Sequence, residues 1–212
     1  MSVVPSQIRI LCFGASITAG YYRMGLVSHP YALQLHRQLQ QHIPSTKIEI
    51  SVDALAGDQV VNGQYFSRLK DSCGQLSARK YDWIIVQGGG NDLRNGRSPE
   101  EIFCALKAIW KICLDHGSKV IALTVTETAV REQAVLAKYE ALNQMILSYR
   151  EQNVTVADVC SALPWPASKA EQNAIWDDGL HFLPRGYDLI GSCIADVLLS
   201  VMGSIVTARA KI

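Results

Sequence analysis

The chain has 212 residues, about half of them apolar (49%), enough to fill one core of ordinary size and too few to build a second full domain; residues 1–212 therefore read as a single domain. Twenty Lys and Arg balance nineteen Asp and Glu to a formal charge of +1, without a run of like charges, which excludes the electrostatic footprint of a nucleic-acid binder. The six cysteines form no CxxC pair and read as reduced core thiols, and the amino-terminal MSVVPSQIRILCF lacks the basic stretch and long apolar region of a secretory signal, so the protein is expected to be cytoplasmic.

Apolar runs that end in small or polar residues predict five strands, at residues 7–13 (QIRILCF), 47–53 (KIEISVD), 81–87 (YDWIIVQ), 118–125 (SKVIALTV) and 154–158 (VTVAD). Helical patterns alternate with them. After the first strand, residues 29–42 carry Pro30 early and Tyr31, Leu35 and Leu39 at fourfold spacing. Residues 98–117 open with Ser98 as a cap, Pro99 at the first helical position and two glutamates on the positive end of the dipole, and close on Gly117. Residues 132–150 place Leu136, Tyr139, Leu142, Met145 and Ile146 on one broad face, and residues 185–201 form the last helix. The apolar late segment IADVLLSVMGSIV is too short and carries Asp196, which argues against a membrane-spanning segment. Strands alternating with helices predict an α/β three-layer sandwich, a mostly parallel five-stranded sheet with helices on both faces. The stretch 160–182 has no clear periodicity, and so long a loop in a small domain is usually functional.

In such a sheet, ligands collect beyond the carboxyl ends of the strands. Four junctions fall there or beside it: FGASIT, DALAGD, GGGNDLR and WDDGLHF. FGASIT can cradle a phosphate, turn a corner with Ser16 and Thr18 capping a helix, or aim a nucleophile. It lacks both the GxGxxG spacing of a dinucleotide site and the GK[ST] of a triphosphate loop. DGLH puts Asp178 three residues before His181, a spacing that sets a carboxylate against one imidazole nitrogen and leaves the other free for a serine hydroxyl. Asp177 is a rival for that role. In GGGND, Asn91 offers a side-chain N–H donor and the preceding glycines allow close approach, while Gly57 offers its backbone N–H; each segment can equally be a plain turn. His29, His36, His42 and His116 sit at helix ends or in polar helical positions and read as surface or capping residues, and no HExxH or cysteine-pair spacing calls for a metal.

Taken in order, these blocks resemble the SGNH hydrolases, also called the GDSL esterase and lipase family. FGASIT is similar to the first block around Ser16, ALAG to the second at Gly57, GGGND to the third at Gly89 and Asn91, and DGLH to the fourth at Asp178 and His181. The resemblance implies a flavodoxin-like fold and a Ser16–His181–Asp178 triad. It also implies an oxyanion hole from the N–H groups of Ser16 and Gly57 with the Asn91 side chain, and neither metal nor organic cofactor. One departure stands out: Ala15 occupies the place where the family usually has aspartate, removing a carboxylate that can support nearby loops.

The function expected from this reading is hydrolysis of a small-molecule carboxylic ester through an acyl-enzyme on Ser16. Deacetylation of acetylated sugars and lysophospholipase or thioesterase action are alternatives, and a catalytically weak α/β ligand-binding protein is the alternative of another class. Tyr21, Tyr22, Trp176 and Phe182 are the candidate substrate-binding rings, with Met24, Leu26 and Trp165 nearby; the same rings can instead pin the loop to the domain.

Overall fold

The computed structural model describes residues 5–73, 80–166 and 168–209. All five predicted strands form, as β1 (Gln7–Gly14), β4 (Lys47–Ala54), β5 (Trp83–Val86), β6 (Lys119–Leu123) and β7 (Val154–Ala157). The sequence pattern did not anticipate a short hairpin after β1, made by β2 (Tyr21–Tyr22) and β3 (Val27–Ser28). Two-residue strands are too brief to show a period, and the turn between them is built on left-handed backbone at Arg23, Met24 and Gly25.

The helices are α1 (Ser16–Ala19), α2 (Ala32–His42), α3 (Tyr65–Ser72), α4 (Gly90–Arg94), α5 (Pro99–Asp115), α6 (Gln133–Ser148), α7 (Val159–Ala162), α8 (Lys169–Ile175) and α9 (Pro184–Arg209). The start of α5 follows its sequence signals closely: Ser98 Oγ accepts from Glu101 N at 3.2 Å, Glu101 Oε2 accepts from Ser98 N at 3.2 Å, and Pro99 takes the first helical position. Helix α2 starts later than its pattern, at Ala32, because Pro30 and Tyr31 form the turn that leads into it. The stretch 160–182 is not structureless: α8, capped by Ser168, occupies its middle, and Trp176 pairs with Phe182 in an isolated antiparallel bridge.

The sheet runs β4–β1–β5–β6–β7 with every pair parallel. Strand side chains alternate between its faces, so Ile10 and Cys12 point to one buried cluster while Leu11 and Phe13 point to the other. Tyr31, at the entry to α2, and Leu35 and Leu39 of α2, all fully buried, share the first cluster with Tyr187, Ile190, Ile194 and Leu198 of α9. Tyr65 and Leu69 of α3, Ile102, Leu106 and Ile109 of α5, and Leu142 and Ile146 of α6 fill the second. The result is a helix–sheet–helix sandwich whose parallel strands are buried on both faces, as one-way crossovers require.

Helix α9 is longer than the apolar segment that marked it. Its Pro184–Gly203 part is long and apolar enough to cross a membrane by length and composition, with mean hydropathy 1.3. Its most apolar stripe is spent on the core, which is what a long cover helix needs.

Topology locates the site. The chain leaves β1 toward the β4 edge and then returns to the other side of β1 at β5, so the order reverses between β1 and β5. The loops at the carboxyl ends of those neighbouring strands diverge to opposite faces and leave a crevice between them.

Candidate active site

Ser16 follows β1 by two residues. The strand ends at Gly14, Ala15 takes the cap position, and α1 begins with Ser16 as its first residue. A side chain on Gly14 would run into Thr18 and the Gln87 carbonyl, so only glycine lets the helix start this close to the strand. As the first helical residue, Ser16 has an N–H with no acceptor inside the helix.

The histidine comes from the other end of the chain. His181 Nε2 lies 2.9 Å from Ser16 Oγ, and His181 Nδ1 lies 2.8 Å from Asp178 Oδ2. The second carboxylate oxygen of Asp178 accepts from Leu180 N at 2.9 Å and His181 N at 2.7 Å, a tight turn that brings the imidazole over the carboxylate. Burial acts to raise the Asp178 carboxyl, but the His181 N–H, the imidazole and the Leu180 N–H together outweigh it and hold the group below the ordinary carboxylate value. Asp177 takes no part in this pairing: its carboxylate accepts from Arg23 N at 2.6 Å in the β2–β3 turn.

Asn91 lies in the first turn of α4, where its Nδ2 donates to the Asp58 carbonyl at 2.9 Å. One amide hydrogen is thereby fixed, and the other is left for a ligand. Gly57 sits at an exposed bend with φ +76°, and nothing lies within 4 Å of the Cβ it lacks, so backbone conformation rather than crowding requires glycine there. Its neighbour Asp58 lines the cleft together with Ala15, Ser16, Gly89 and Asn91, whereas Gly57 itself stands one residue outside that lining.

Two supports of this arrangement were not identified from the sequence. Arg68 on α3 pairs with Asp53 Oδ1 and Asp58 Oδ2, both at 2.6 Å, and also bonds the Gly14 carbonyl, so one guanidinium ties the ends of β1 and β4 to the second junction. Asp92, fully buried, accepts from Val60 N at 3.0 Å and Val61 N at 2.9 Å. Burial, partly offset by those two N–H groups, raises its carboxyl above the usual range. The loop after β4 is thus held against α4 from two adjacent residues, Asn91 and Asp92. At position 15, α1 has no side-chain cap, and the loop support comes from Arg68 and Asp92 instead.

The residue pattern 12–189 matches the model of the GDSL-like Lipase/Acylhydrolase family. The chain belongs to that family. Solved structures of similar shape include a putative GDSL-like lipase from Parabacteroides merdae, 19% identical with a TM-score of 0.73, covering 92% of this chain and 97% of that one. A carbohydrate esterase family 3 protein from Talaromyces cellulolyticus is 16% identical with a TM-score of 0.69, covering 93% of this chain and 99% of that one. Both likenesses establish the fold. Among curated proteins, an N-acylneuraminate cytidylyltransferase from Streptococcus agalactiae is 29% identical over 109 residues, 51% of this chain, and the match spans only 26% of that protein.

Within this family member, the cleft differs from the sequence expectation in its walls. Its empty space, open to solvent, is about 410 Å³, and its further lining comes from Ile17, Gln87, Val125, Thr126, Thr128 and Tyr139. None of the four expected rings is among the lining residues. Trp176 and Phe182 are buried in a ring stack with Trp165 and Tyr187, at centroid separations of 4.4 to 5.6 Å. They pin the 160–182 stretch to the domain, because rings this large gain more from core burial than from an open cleft. Tyr21 and Tyr22 are half-buried in β2, and the Tyr21 carbonyl accepts from the Tyr187 hydroxyl at 2.5 Å. Among the described residues, no group of three or more His, Cys, Asp or Glu side chains is gathered that could hold a metal ion.

Proposed function

We propose that the protein is a serine esterase that hydrolyses small carboxylic esters through an acyl-enzyme on Ser16. The observation that carries this reading is the continuous hydrogen-bonded line Asp178–His181–Ser16, with steps of 2.8 and 2.9 Å, ending in a cleft that Asn91 also lines. In the first half-reaction Ser16 Oγ attacks the ester carbonyl carbon as His181 Nε2 takes the hydroxyl proton. The oxyanion is received by the Ser16 N–H and the free amide hydrogen of Asn91, with the Gly57 N–H at the rim as the third donor expected from the resemblance. His181 then hands its proton to the departing alkoxide as the C–O bond breaks. Water, deprotonated by the same nitrogen, attacks the acyl-enzyme and releases the acid and Ser16. Asp178 keeps the imidazole in the tautomer that accepts at Nε2 and favours the imidazolium between steps.

The modest cleft, walled by Val125, Thr126, Thr128 and Tyr139, favours short acyl groups over long chains. Six free cysteines, including the exposed Cys104, fit action in a reducing compartment, which supports the cytoplasmic assignment. A fluorophosphonate probe is expected to add its mass to Ser16 of the intact protein and to leave Ser16→Ala unmodified, with acetyl and butyryl esters turned over faster than octanoyl. Absence of both labelling and ester hydrolysis would leave the ligand-binding alternative standing.

A further inference from the structure

Gln87 follows the last residue of β5 and precedes the glycines that lead to Asn91. Its main chain is committed in both directions: the N–H donates to the Phe13 carbonyl at 3.0 Å, and the carbonyl accepts from the Tyr65 hydroxyl at 2.7 Å. The residue is only 5% exposed and lines the cleft with Ser16 and Asn91, yet its Oε1 has no hydrogen-bond partner. Three other buried side-chain atoms among the described residues lack a partner, Trp110 Nε1, His116 Nε2 and Trp176 Nε1, and none of those residues lines the cleft.

An amide oxygen stripped of water and given no donor is unfavourable, and native proteins keep few of them. One carried by a residue of the cleft wall, beside Ser16, differs from one deep inside a core, because a small side-chain shift lets a ligand supply the missing donor. The surroundings define that donor further. Asp58, the charged side chain of the lining, is already satisfied by Arg68 and by the N–H groups of Gln59 and Gln64. Thr126, Thr128 and Tyr139 add hydroxyls to a wall that also includes the apolar Ile17, Val125 and Leu180. Such a mixture suits a neutral polar group rather than an ion or an alkyl chain.

The geometry points to Gln87 as a specificity residue. Its side-chain oxygen accepts from a hydroxyl or amide N–H that the substrate carries close to the scissile ester, selecting esters of hydroxylated or N-acylated small molecules, sugars included, over plain alkyl esters. This inference rests on the esterase reading of Ser16 and extends it to the substrate. A buried acceptor of this kind discriminates against an analogue lacking the donor, since that analogue leaves the acceptor unpaired in the bound state.

The test compares monoacetylated pyranoses bearing a free hydroxyl beside the ester with counterparts in which that hydroxyl is replaced by hydrogen, in the wild type and in Gln87→Met. In the wild type at least one pair is expected to differ in kcat/KM by about tenfold or more, the worth of one well-made hydrogen bond to a buried acceptor. In Gln87→Met, whose side chain is of similar length and accepts only weakly, the ratio for that pair is expected to fall to within about twofold of unity, whatever happens to the absolute rates. The inference is overturned if no pair differs in the wild type, or if the ratio survives the substitution. A folded Gln87→Met is checked by thermal melting, and the wild-type pairs decide alone if it does not fold. Normal fluorophosphonate labelling of Ser16 without any preference overturns only this inference, whereas absent labelling overturns the esterase reading beneath it.

Discussion

The proposed nucleophile and base reach the cleft on supports of opposite kind. Ser16 and Asn91 stand in the first turns of the short helices that follow β1 and β5, neighbours in the middle of the sheet, and the segments around them are laced by buried groups. Arg68, with 14% of its side chain exposed, ties three strand-end loci at once, and Asp92 has no exposure at all. His181 arrives on a turn between α8 and α9 whose carboxylate, Asp178, is 43% exposed and whose bonds run over two or three residues. Longer tethers hold that turn as a unit: Asp177 to the β2–β3 hairpin, the Ala129 N–H to the Gly179 carbonyl at 2.7 Å, and the ring stack beneath it. The Ser16–Asn91 side is therefore fixed by the sheet, and the Asp178–His181 side by a self-contained turn docked onto it. Precision in the first depends on buried polar bonds that cannot be exchanged for water; in the second it depends on local geometry that survives solvent exposure.

That contrast can be broken from either side. The largest effect is expected from Asp178→Asn, which keeps an oxygen for the two backbone N–H groups but presents an NH₂ to His181 Nδ1 and so favours the wrong tautomer; kcat is expected to fall by about 10⁴-fold in ester hydrolysis. The same variant tests the carboxyl's lowered pKa. A carboxyl held lower in the folded than in the unfolded chain contributes stability above its unfolded value, about 3.9, and loses it as pH falls through the folded value. The melting-temperature gap between wild type and Asp178→Asn should therefore be present at neutral pH and close as the pH drops below about 4.

On the sheet side, Asn91→Ala removes the proposed oxyanion donor and is expected to lower kcat by about 10²- to 10³-fold, with KM changed far less. Asp92→Ala should act on the fold instead. It strands the N–H groups of Val60 and Val61 and is expected to cost about 3 kcal/mol in chemical denaturation. The smallest effect is expected from Asp177→Ala, which releases one exposed bond to the hairpin: a stability change under about 1 kcal/mol and rates within about threefold. A hundredfold loss in Asp177→Ala would show that the base turn is not self-contained and would erase the contrast.

How far the sequence carried these conclusions varied from feature to feature. Ser98, Pro99 and Gly117 marked α5 because capping is decided within a few residues. Asp178 and His181 could be paired on spacing alone, for the same reason, and the choice between Asp177 and Asp178 followed the spacing. The rings at Trp176 and Phe182 went the other way. An aromatic residue beside a histidine reads the same whether it faces a substrate or a core, and here neighbouring rings from α9 and the 160–182 stretch cover it. Arg68 carried no signal, since an arginine in an amphipathic helix is ordinarily a solvated face; its role needs Asp53, Asp58 and Gly14 to be brought beside it.

By itself, then, the sequence determined what depends on periodicity and on contacts a few residues long: the five strands, the four longest helices α2, α5, α6 and α9, the GDSL-like blocks, and the Asp178–His181 turn. Tertiary structure decided which distant groups meet. It put His181 against Ser16 across 165 residues, buried Trp176 and Phe182 in the core, and left the buried amide oxygen of Gln87, a residue of the cleft wall, without a partner. The division has one physical cause: helix caps, turns and alternation are local choices of the backbone, whereas burial and long-range hydrogen bonds exist only once the layers have closed on each other.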